Sequence, residues 1–307
     1  MEILSLPGLA PVKAPVASVA ALGFFDGVHT AHAAVLESAA AVAKAQGLPL
    51  LVFTFRAADA PKGAPLLSGD EERAALFAAA SATCAVFASF SSLADMSPEA
   101  FVSYLVEKAH VRVAVTGENF RFGHRAAGDA PLLARLMRAH GGEAYAVPSQ
   151  CLGGEPISSS RIRRALEEGD CALAAAMLGR PYALTLPVTH GRHLGHVLGF
   201  PTANLCPPPR RALPAFGVYG TEVTLPDGRV MRGVTDVGRR PTVGGDEVRV
   251  ETHILDYSGD LYGSMLTVAF LGRVREERRF ASLSDLTEQI KLDCEEVRKW
   301  KQPNGLN

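Results

Sequence analysis

The stretch GFFDGVHTAH, from Gly23 to His32, joins a buried strand to a helix and decides the fold of the first part of the chain. The apolar run at residues 16–22 before it predicts a parallel strand, and the alanine-rich residues 33–46 after it predict a helix. Because the first turn of a helix offers free N–H groups and the positive end of the helix dipole, such a turn attracts anions. The stretch therefore predicts a phosphate site at the end of the first strand.

Two glycines and two histidines suit this turn to a triphosphate. Gly23 and Gly27 permit tight backbone conformations, and His29 and His32, three residues apart, would lie on one face of the first helical turn. Their imidazoles would then donate to charge that develops during a transfer reaction. A helix cap and a solvated face are an equally good explanation for two histidines alone. The ten-residue pattern favours the functional interpretation, because it resembles the G-x-F-D-G-x-H-x-G-H motif of the nucleotidyltransferase superfamily, with Ala31 in place of a glycine.

Composition sets the class of protein. The 307 residues suit two domains, and a hydrophobic content of 48% is enough for packed cores. A net charge of −1 gives no support to nucleic-acid binding. No signal peptide or membrane-spanning run is recognisable, so we expect a cytoplasmic protein. Reduced thiols fit that location, since no two cysteines have zinc-ligand or CxxC spacing; they are Cys84, Cys151, Cys171, Cys206 and Cys294.

Strand-like and helical segments alternate over residues 16–147. This alternation predicts a Rossmann-like, doubly wound parallel sheet, which binds its ligand beyond the carboxyl ends of the strands. The predicted strands are residues 16–24, 48–55, 84–87, 111–116 and 143–147, and the predicted helices are residues 33–46, 70–80, 97–108 and 131–140.

Beyond Gly179 short β-rich runs and turn residues replace this alternation. The runs predict an antiparallel β-barrel, so we place one domain at residues 1–180 and a second at residues 181–307. A final helix over residues 282–300 would pack on the barrel through residues at helical spacing, which are Leu283, Leu286, Ile290, Cys294 and Val297.

Two further segments add polar groups to the first domain. The loop at residues 117–125 follows a predicted strand and carries Asn119, two phenylalanines and two arginines, which suit a ring and a phosphate. A solvated loop over a buried phenylalanine pair is the alternative. Ser159, Ser160 and Arg163 open another predicted helix, where the serines cap the helix and, with the arginine, are also able to hold phosphate oxygens.

The second domain carries its own constellation in the stretch LGFPTANL at residues 198–205. Thr202 and Asn204 point the same way from an extended chain and offer the hard oxygens that suit Mg²⁺ on nucleotide phosphates. A glycine-rich flap at residues 191–196 would cover those phosphates. Glu251 lies mid-strand among apolar neighbours, where spacing alone favours a paired structural carboxylate over a base that deprotonates an alcohol.

These motifs together resemble one family, the bacterial bifunctional riboflavin kinase/FMN adenylyltransferases, also called FAD synthetases. The resemblance begins with residues 23–32, the loop at residues 117–123 and residues 199–204 (GFPTAN). It also includes, in the family's order, residues 157–163 (ISSSRIR, family I-S-S-T-x-I-R), 178–182 (LGRPY), 217–219 (GVY), 238–242 (GRRPT), 251–256 (ETHILD) and 260–263 (DLYG).

The resemblance implies two Mg²⁺-dependent reactions with ATP. Glu251 would be the general base when riboflavin becomes FMN, and His29 and His32 would stabilise charge when FMN becomes FAD with release of pyrophosphate. The implied ligand-binding residues are Gly23, Phe24, Asp26, Gly27, Asn119, Ser159, Ser160, Arg163, Gly191, Gly195, Pro201, Thr202 and Asn204, and Thr202 and Asn204 would also hold the metal.

Several positions depart from the family pattern. Ala31 replaces a glycine, and residues 56–59 (RAAD) replace D-P-H-P; in the second domain His196, Asp236 and Leu186 replace an arginine, an asparagine and a glycine. Two alternatives therefore stay open beside the bifunctional enzyme. One is a riboflavin kinase with an inactive first domain, and the other is a non-catalytic flavin- or nucleotide-binding protein.

Overall fold

The protein is described by a computed structural model covering residues 1–6, 17–59, 63–190, 198–242 and 245–300. Within those ranges no helix is long and apolar enough to cross a bilayer. The chain divides into two compact units, Met1–Ser159 and Ser160–Asn307.

The first unit is built on a parallel sheet of six strands in the order β1-β4-β3-β2-β5-β8, which confirms the predicted doubly wound architecture. Its strands are β1 (Glu2–Leu6), β2 (Ser18–Leu22), β3 (Leu50–Phe55), β4 (Cys84–Ala88), β5 (Val111–Gly117) and β8 (Glu143–Val147), with the short pairs β6 (Arg121–Phe122) with β7 (Gly128–Asp129) and β9 (Cys151–Leu152) with β10 (Glu155–Pro156). Its helices are α1 (Thr30–Gln46), α2 (Asp70–Ala79), α3 (Phe90–Leu93), α4 (Pro98–Glu107) and α5 (Ala130–Ala139).

Strand β2 lies at the centre of this sheet, and all five of its residues are buried. Val19 and Ala21 pack on the face covered by α1, whereas Ala20 and Leu22 pack on the face covered by α4 and α5. Burial on both faces explains why the run is continuously apolar. The order of the strands along the chain reverses between β2 and β5, so the turn after β2 opens at the point where such sheets bind ligands.

The second unit contains a closed antiparallel barrel, as predicted, with the order β11-β12-β15-β14-β13-β16. Helices α6 (Ser159–Glu167) and α7 (Cys171–Leu178) precede it, and α7 contacts β11 and β16. The two compact units divide at residues 159/160, whereas the sequence places the domain boundary at residues 180/181, and that boundary stays a prediction. The strands are β11 (Tyr182–Thr189), β12 (Thr202–Leu205), β13 (Gly217–Thr224), β14 (Val230–Thr242), β15 (Gly245–Ile254) and β16 (Met265–Glu276).

The last helix, α8 (Leu283–Lys299), packs on the barrel through Cys294 and Val297, which are buried, and through the partly buried Ile290. The prediction for Leu283 is wrong: its side chain is 60% exposed. It occupies the first helical turn, directly after the cap residue Ser282, where helical spacing continues but the barrel surface does not.

We expect Gly220→Ala to destabilise the second unit, because a Cβ at this position of β13 would overlap the ring of Trp300. Such overpacking costs about 1–3 kcal/mol of the free energy of unfolding, which thermal and urea denaturation would measure. In a Trp300→Ala background the same substitution should cost less than about 0.5 kcal/mol, since the overlap is gone. An equal cost in both backgrounds would contradict this packing.

Candidate active sites in the two units

The turn after β2 is held by hydrogen bonds to a second loop. The Asp26 carboxylate is only 1% exposed and accepts from the backbone N–H groups of Leu67 (3.0 Å) and Ser68 (3.1 Å). The hydroxyl of Ser68 in turn accepts from the N–H of Gly27 (2.8 Å), whose φ of 80° lies in the left-handed region. This geometry gives the Asp26 carboxylate a structural task, and a nucleotide contact by Asp26 stays a prediction.

A buried arginine organises the same turn and was not anticipated from the sequence. Arg73 of α2 is 0% exposed and donates to the carbonyl oxygens of Phe24 (2.6 Å) and Phe55 (2.7 Å). It also donates to the Thr54 hydroxyl (3.1 Å) and to the Asp70 carboxylate. Its guanidinium therefore ties the ends of β2 and β3 together. No signal in the sequence pointed to its burial, because Arg73 directly follows the acidic residues 70–72, a pattern typical of a solvated first helical turn.

The two histidines are brought together as predicted. His29 caps α1, and its Nδ1 accepts from the N–H of His32 at 3.3 Å, so in the neutral ring the proton is on Nε2. The rings stack with centroids 3.6 Å apart. Burial, followed by the nearness of His29 and Arg73, holds the pKa of His32 well below its ordinary value. The site thus presents a neutral His32 imidazole, stacked on His29, at a helix N-terminus.

A cavity of about 330 Å³ opens beside this turn. Its walls include Gly23, two arginines of the 117–125 loop and a set of aromatic rings, which are Phe53, Phe55, Phe90, Phe101, Phe120 and Phe122. Phe120 and Phe122 stack with centroids 5.7 Å apart. The loop thus lines a cavity suited to a flat ring, and Arg121 and Arg125 are able to receive an anion attached to that ring.

The remaining predicted residues of the first site are placed separately. The amide of Asn119 donates to the Ser149 hydroxyl at 2.9 Å, and Ser159 donates to the Asp26 carbonyl oxygen at 2.9 Å, which brings Ser159 to the turn. Ser160 and Arg163 lie on α6 within the second compact unit. Their role in substrate binding stays a prediction.

In the second unit the barrel register places three polar residues side by side. Glu251 on β15 is directly opposite Asn204 on β12 and Asp236 on β14. Two residues along the same strands, His253 is opposite Thr202 and Val234. Because alternate residues of a strand share a face, these side chains line one wall. All of them except Asn204 line a cavity of about 400 Å³, whose other walls are apolar groups and α8, including Leu198, Phe200, Val218, Phe280, Leu286 and Ile290.

Two carboxylates of this cavity, Glu251 and Asp236, have raised pKa values. Burial raises the pKa of Glu251, and Arg249, 3.8 Å away, opposes that rise. Partial removal from water raises the pKa of Asp236 to about 7, and the negative charges of Glu277 and Glu251 add to the rise. Glu251 is therefore a stronger base than a free carboxylate, which suits it to accept a proton.

A second cavity, of about 430 Å³, lies next to the first, and Pro201 and Thr202 are among its lining residues. Thr202 lines both cavities. Asn204 is 7% exposed, and its Oδ1 is buried with no hydrogen-bond partner within the ranges that the structure describes. The predicted flap residues Gly191 and Gly195, and His196 with them, lie outside the described residues.

An ion pair between β16 and α8 fixes one wall of the 400 Å³ cavity. Arg275 donates from Nε and Nη2 to the Asp293 carboxylate at 2.8 to 3.0 Å, and Asp293 is 2% exposed. Gln289 also donates to Asp293. Sequence reasoning did not find this pair, since its two members lie on different elements and neither belongs to a motif.

We expect Arg73→Met to destabilise the first unit by about 3–5 kcal/mol, because it leaves the carbonyl oxygens of Phe24 and Phe55 buried without their donor and Asp70 without its cation. Urea denaturation would measure the loss. Arg112→Met, at an exposed position of β5, is the matched control and should stay within about 0.5 kcal/mol of the wild type. Equal effects of the two substitutions would contradict the proposed framework.

Asp236→Asn should stabilise the protein at high pH only. Since the pKa is raised on folding, ionisation of Asp236 costs stability as the pH rises from about 4 through 7. Because the side chain opens to the cavity and is partly solvated, this cost is about 1 kcal/mol of the free energy of unfolding. The variant should therefore have a melting temperature roughly 2–4 °C higher than the wild type at pH 8. At pH 4 the difference should vanish.

Asp227→Asn serves as the control of opposite sign. Hydrogen bonds from the backbone and side chain of Arg229 lower the pKa of Asp227, so its ionised form stabilises the fold. This variant should lose stability at neutral pH. A difference between Asp236→Asn and the wild type that does not change with pH would contradict the assignment.

Known proteins match the chain over nearly its whole length. The sequence model described as FAD synthetase matches residues 12–161, and the model described as riboflavin kinase matches residues 178–301. The bifunctional riboflavin kinase/FMN adenylyltransferase of Escherichia coli K12 is 35% identical over 90% of both chains, and that of Pseudomonas fluorescens is 36% identical over 94% of both.

A solved structure, titled as a macrolide-efflux protein from Streptococcus pneumoniae, is 29% identical. It superposes with a TM-score of 0.89 over 98% of this chain and 100% of its own, which supports the fold in both units. With two family models in order and relatives above 30% identity across both units, the chain belongs to the bifunctional riboflavin kinase/FMN adenylyltransferase family.

Proposed function

We propose that the chain phosphorylates riboflavin to FMN in the second unit and adenylylates FMN to FAD in the first, using ATP in both reactions. For the kinase reaction, the observation that carries this proposal is Thr202, which lines two adjacent cavities while Glu251 lines one of them. For the adenylylation, it is the stacked histidine pair at the start of α1. Two substrates that react with each other need such adjoining sites. The substrates are small molecules, and the spacing of the cysteines fits the reducing cytoplasm, which we propose as the location.

In the kinase reaction the flavin would occupy the 400 Å³ cavity, whose apolar groups suit a tricyclic ring. The Glu251 carboxylate would accept the proton of the ribityl 5′-hydroxyl. The hydroxyl oxygen forms a bond to the γ-phosphorus of ATP as the bond to the β–γ bridging oxygen breaks, and ADP leaves. The raised pKa of Glu251 makes it a better proton acceptor for this step.

Thr202 and Asn204 fit a magnesium ion. The buried Asn204 Oδ1 has no partner among the described residues, and burying a polar atom in that state is costly unless a ligand satisfies it. Hydroxyl and amide oxygens are the hard donors that this ion accepts. When bound, Mg²⁺ would neutralise charge on the nucleotide phosphates. Gly191 and Gly195 are proposed to cover those phosphates, as the sequence predicts.

In the adenylyl transfer a phosphate oxygen of FMN would attack the α-phosphorus of ATP and displace pyrophosphate, so no protein nucleophile is needed. His29 Nε2–H and the α1 N-terminus would donate to the phosphates, and neutral His32 stacks on His29 and orients it. The phenylalanine-lined cavity would hold the flavin ring. Gly23, Phe24 and Gly27 are proposed to lie against the nucleotide, in a turn that Ser68 and Arg73 hold in place.

Two departures from the family pattern leave this framework intact. Ala31 lies in regular α1, where alanine is favourable. In the altered loop at residues 56–59, the N–H of Ala57 donates to Asp70 at 2.8 Å, and the Asp59 carboxylate accepts from the N–H of Phe90 at 3.2 Å. These contacts support an active first unit rather than a silent one.

Chromatography of the flavins formed from riboflavin with MgATP, and separately from FMN with MgATP, tests the proposal. The wild type should give FAD in both incubations. Glu251→Gln should lower FMN formation by at least about 100-fold, because the base is lost, and leave FAD formation from FMN unchanged. His32→Ala should do the reverse. Loss of both activities in either variant would contradict two separate sites.

A further inference from the structure

His253, on β15, lies opposite Thr202 at the start of β12, the strand that carries Thr202 and Asn204. The ladder between β12 and β15 begins with the pair Thr202 and His253. On its other side, β12 pairs with β11 only at Asn204 and Leu205. Among the described residues, the ladder pairs of Thr202 are therefore confined to β15.

The side chain of His253 extends this ladder by one residue. Its Nδ1 lies 2.8 Å from the carbonyl oxygen of Pro201. A carbonyl only accepts hydrogen bonds, so Nδ1 carries the proton in this contact. Pro201 itself has no N–H with which to continue the ladder. The His253 ring also meets Phe200 edge to face, with centroids 5.4 Å apart.

We propose that His253 is a positioning residue for the phosphoryl transfer, whose Nδ1–H holds the Pro201 carbonyl and thereby sets Thr202 for the metal–nucleotide. The inference rests on the proposed kinase function. Thr202 follows Pro201 directly, so a free Pro201 carbonyl would let the peptide preceding Thr202 rotate. Pro201 lines the second cavity, where the nucleotide would bind, and is not among the lining residues of the flavin-sized cavity, so such rotation would displace the nucleotide contact more than the flavin contact.

Two substitutions separate the hydrogen bond from the packing of the ring. His253→Phe keeps an aromatic ring against Phe200 but removes the donor, whereas His253→Asn removes the ring but places an amide N–H near the position of Nδ1. We expect His253→Phe to raise the KM for MgATP about fivefold to tenfold, the effect of one lost hydrogen bond, and to change the KM for riboflavin less than about twofold. His253→Asn should stay within about threefold of the wild type for both.

A purely structural role for the ring predicts the opposite order, with His253→Asn the more impaired, and this order would overturn the proposal. A KM for riboflavin that rises as much as that for MgATP would do the same. If His253→Phe does not fold, His253→Gln, whose longer side chain moves the amide away from Pro201, replaces it. Calorimetric titration with MgADP gives a second readout and should show the same order of affinities.

FAD formation from supplied FMN is the internal control and should be unchanged in every variant. A wild type that forms no FMN from riboflavin would overturn the kinase assignment itself. A wild type that forms FMN, with His253→Phe unaltered in its KM for MgATP, would overturn only the role of His253.

Discussion

The satisfaction of buried polar groups around the turn after β2 governs the first unit. The turn must leave the sheet centre and start a helix within the seven residues 23–29, so its backbone polar groups cannot all form strand or helix bonds. Asp26 accepts from the loop at Leu67 and Ser68, and Arg73 donates to Phe24 and Phe55. These side chains replace the missing backbone partners. They fix the backbone that leads into α1, whose first turn is capped by His29.

In the barrel, the strand register positions the polar side chains of the site. A shift of one residue between β12, β14 and β15 would turn Asn204, Glu251 and Asp236 away from their common wall. Closure of the barrel prevents such a shift, because each strand is fixed by two neighbours. The buried Arg275–Asp293 pair then fixes α8 as the outer wall of the flavin-sized cavity.

Much of this organisation was predictable from local patterns. Five of the six strands of the sheet, most helices and most barrel strands follow from apolar runs and turn residues, and the histidine pair follows from its spacing. What was missed depends on contacts between distant segments. Strand β1 was not predicted; it joins the sheet by pairing with β4. Arg73, the Arg275–Asp293 pair and the His253–Pro201 bond join elements whose distance in space no spacing rule supplies. The prediction that Leu283 packs on the barrel was wrong because helical periodicity does not show where the partner surface ends.

The two sites use opposite electrostatics for related phosphate chemistry. At the first, burial, His29 and Arg73 hold the pKa of His32 low, so the phosphates would meet the N-terminus of α1, a histidine pair with a neutral His32, and the guanidinium groups of Arg121 and Arg125. At the second, four carboxylates line one cavity, and burial, followed by the charges of Glu277 and Glu251, raises the pKa of Asp236. A general base requires a carboxylate at the site before the substrate binds, whereas an adenylyl transfer requires donors. Separate units allow each requirement to be met without weakening the other.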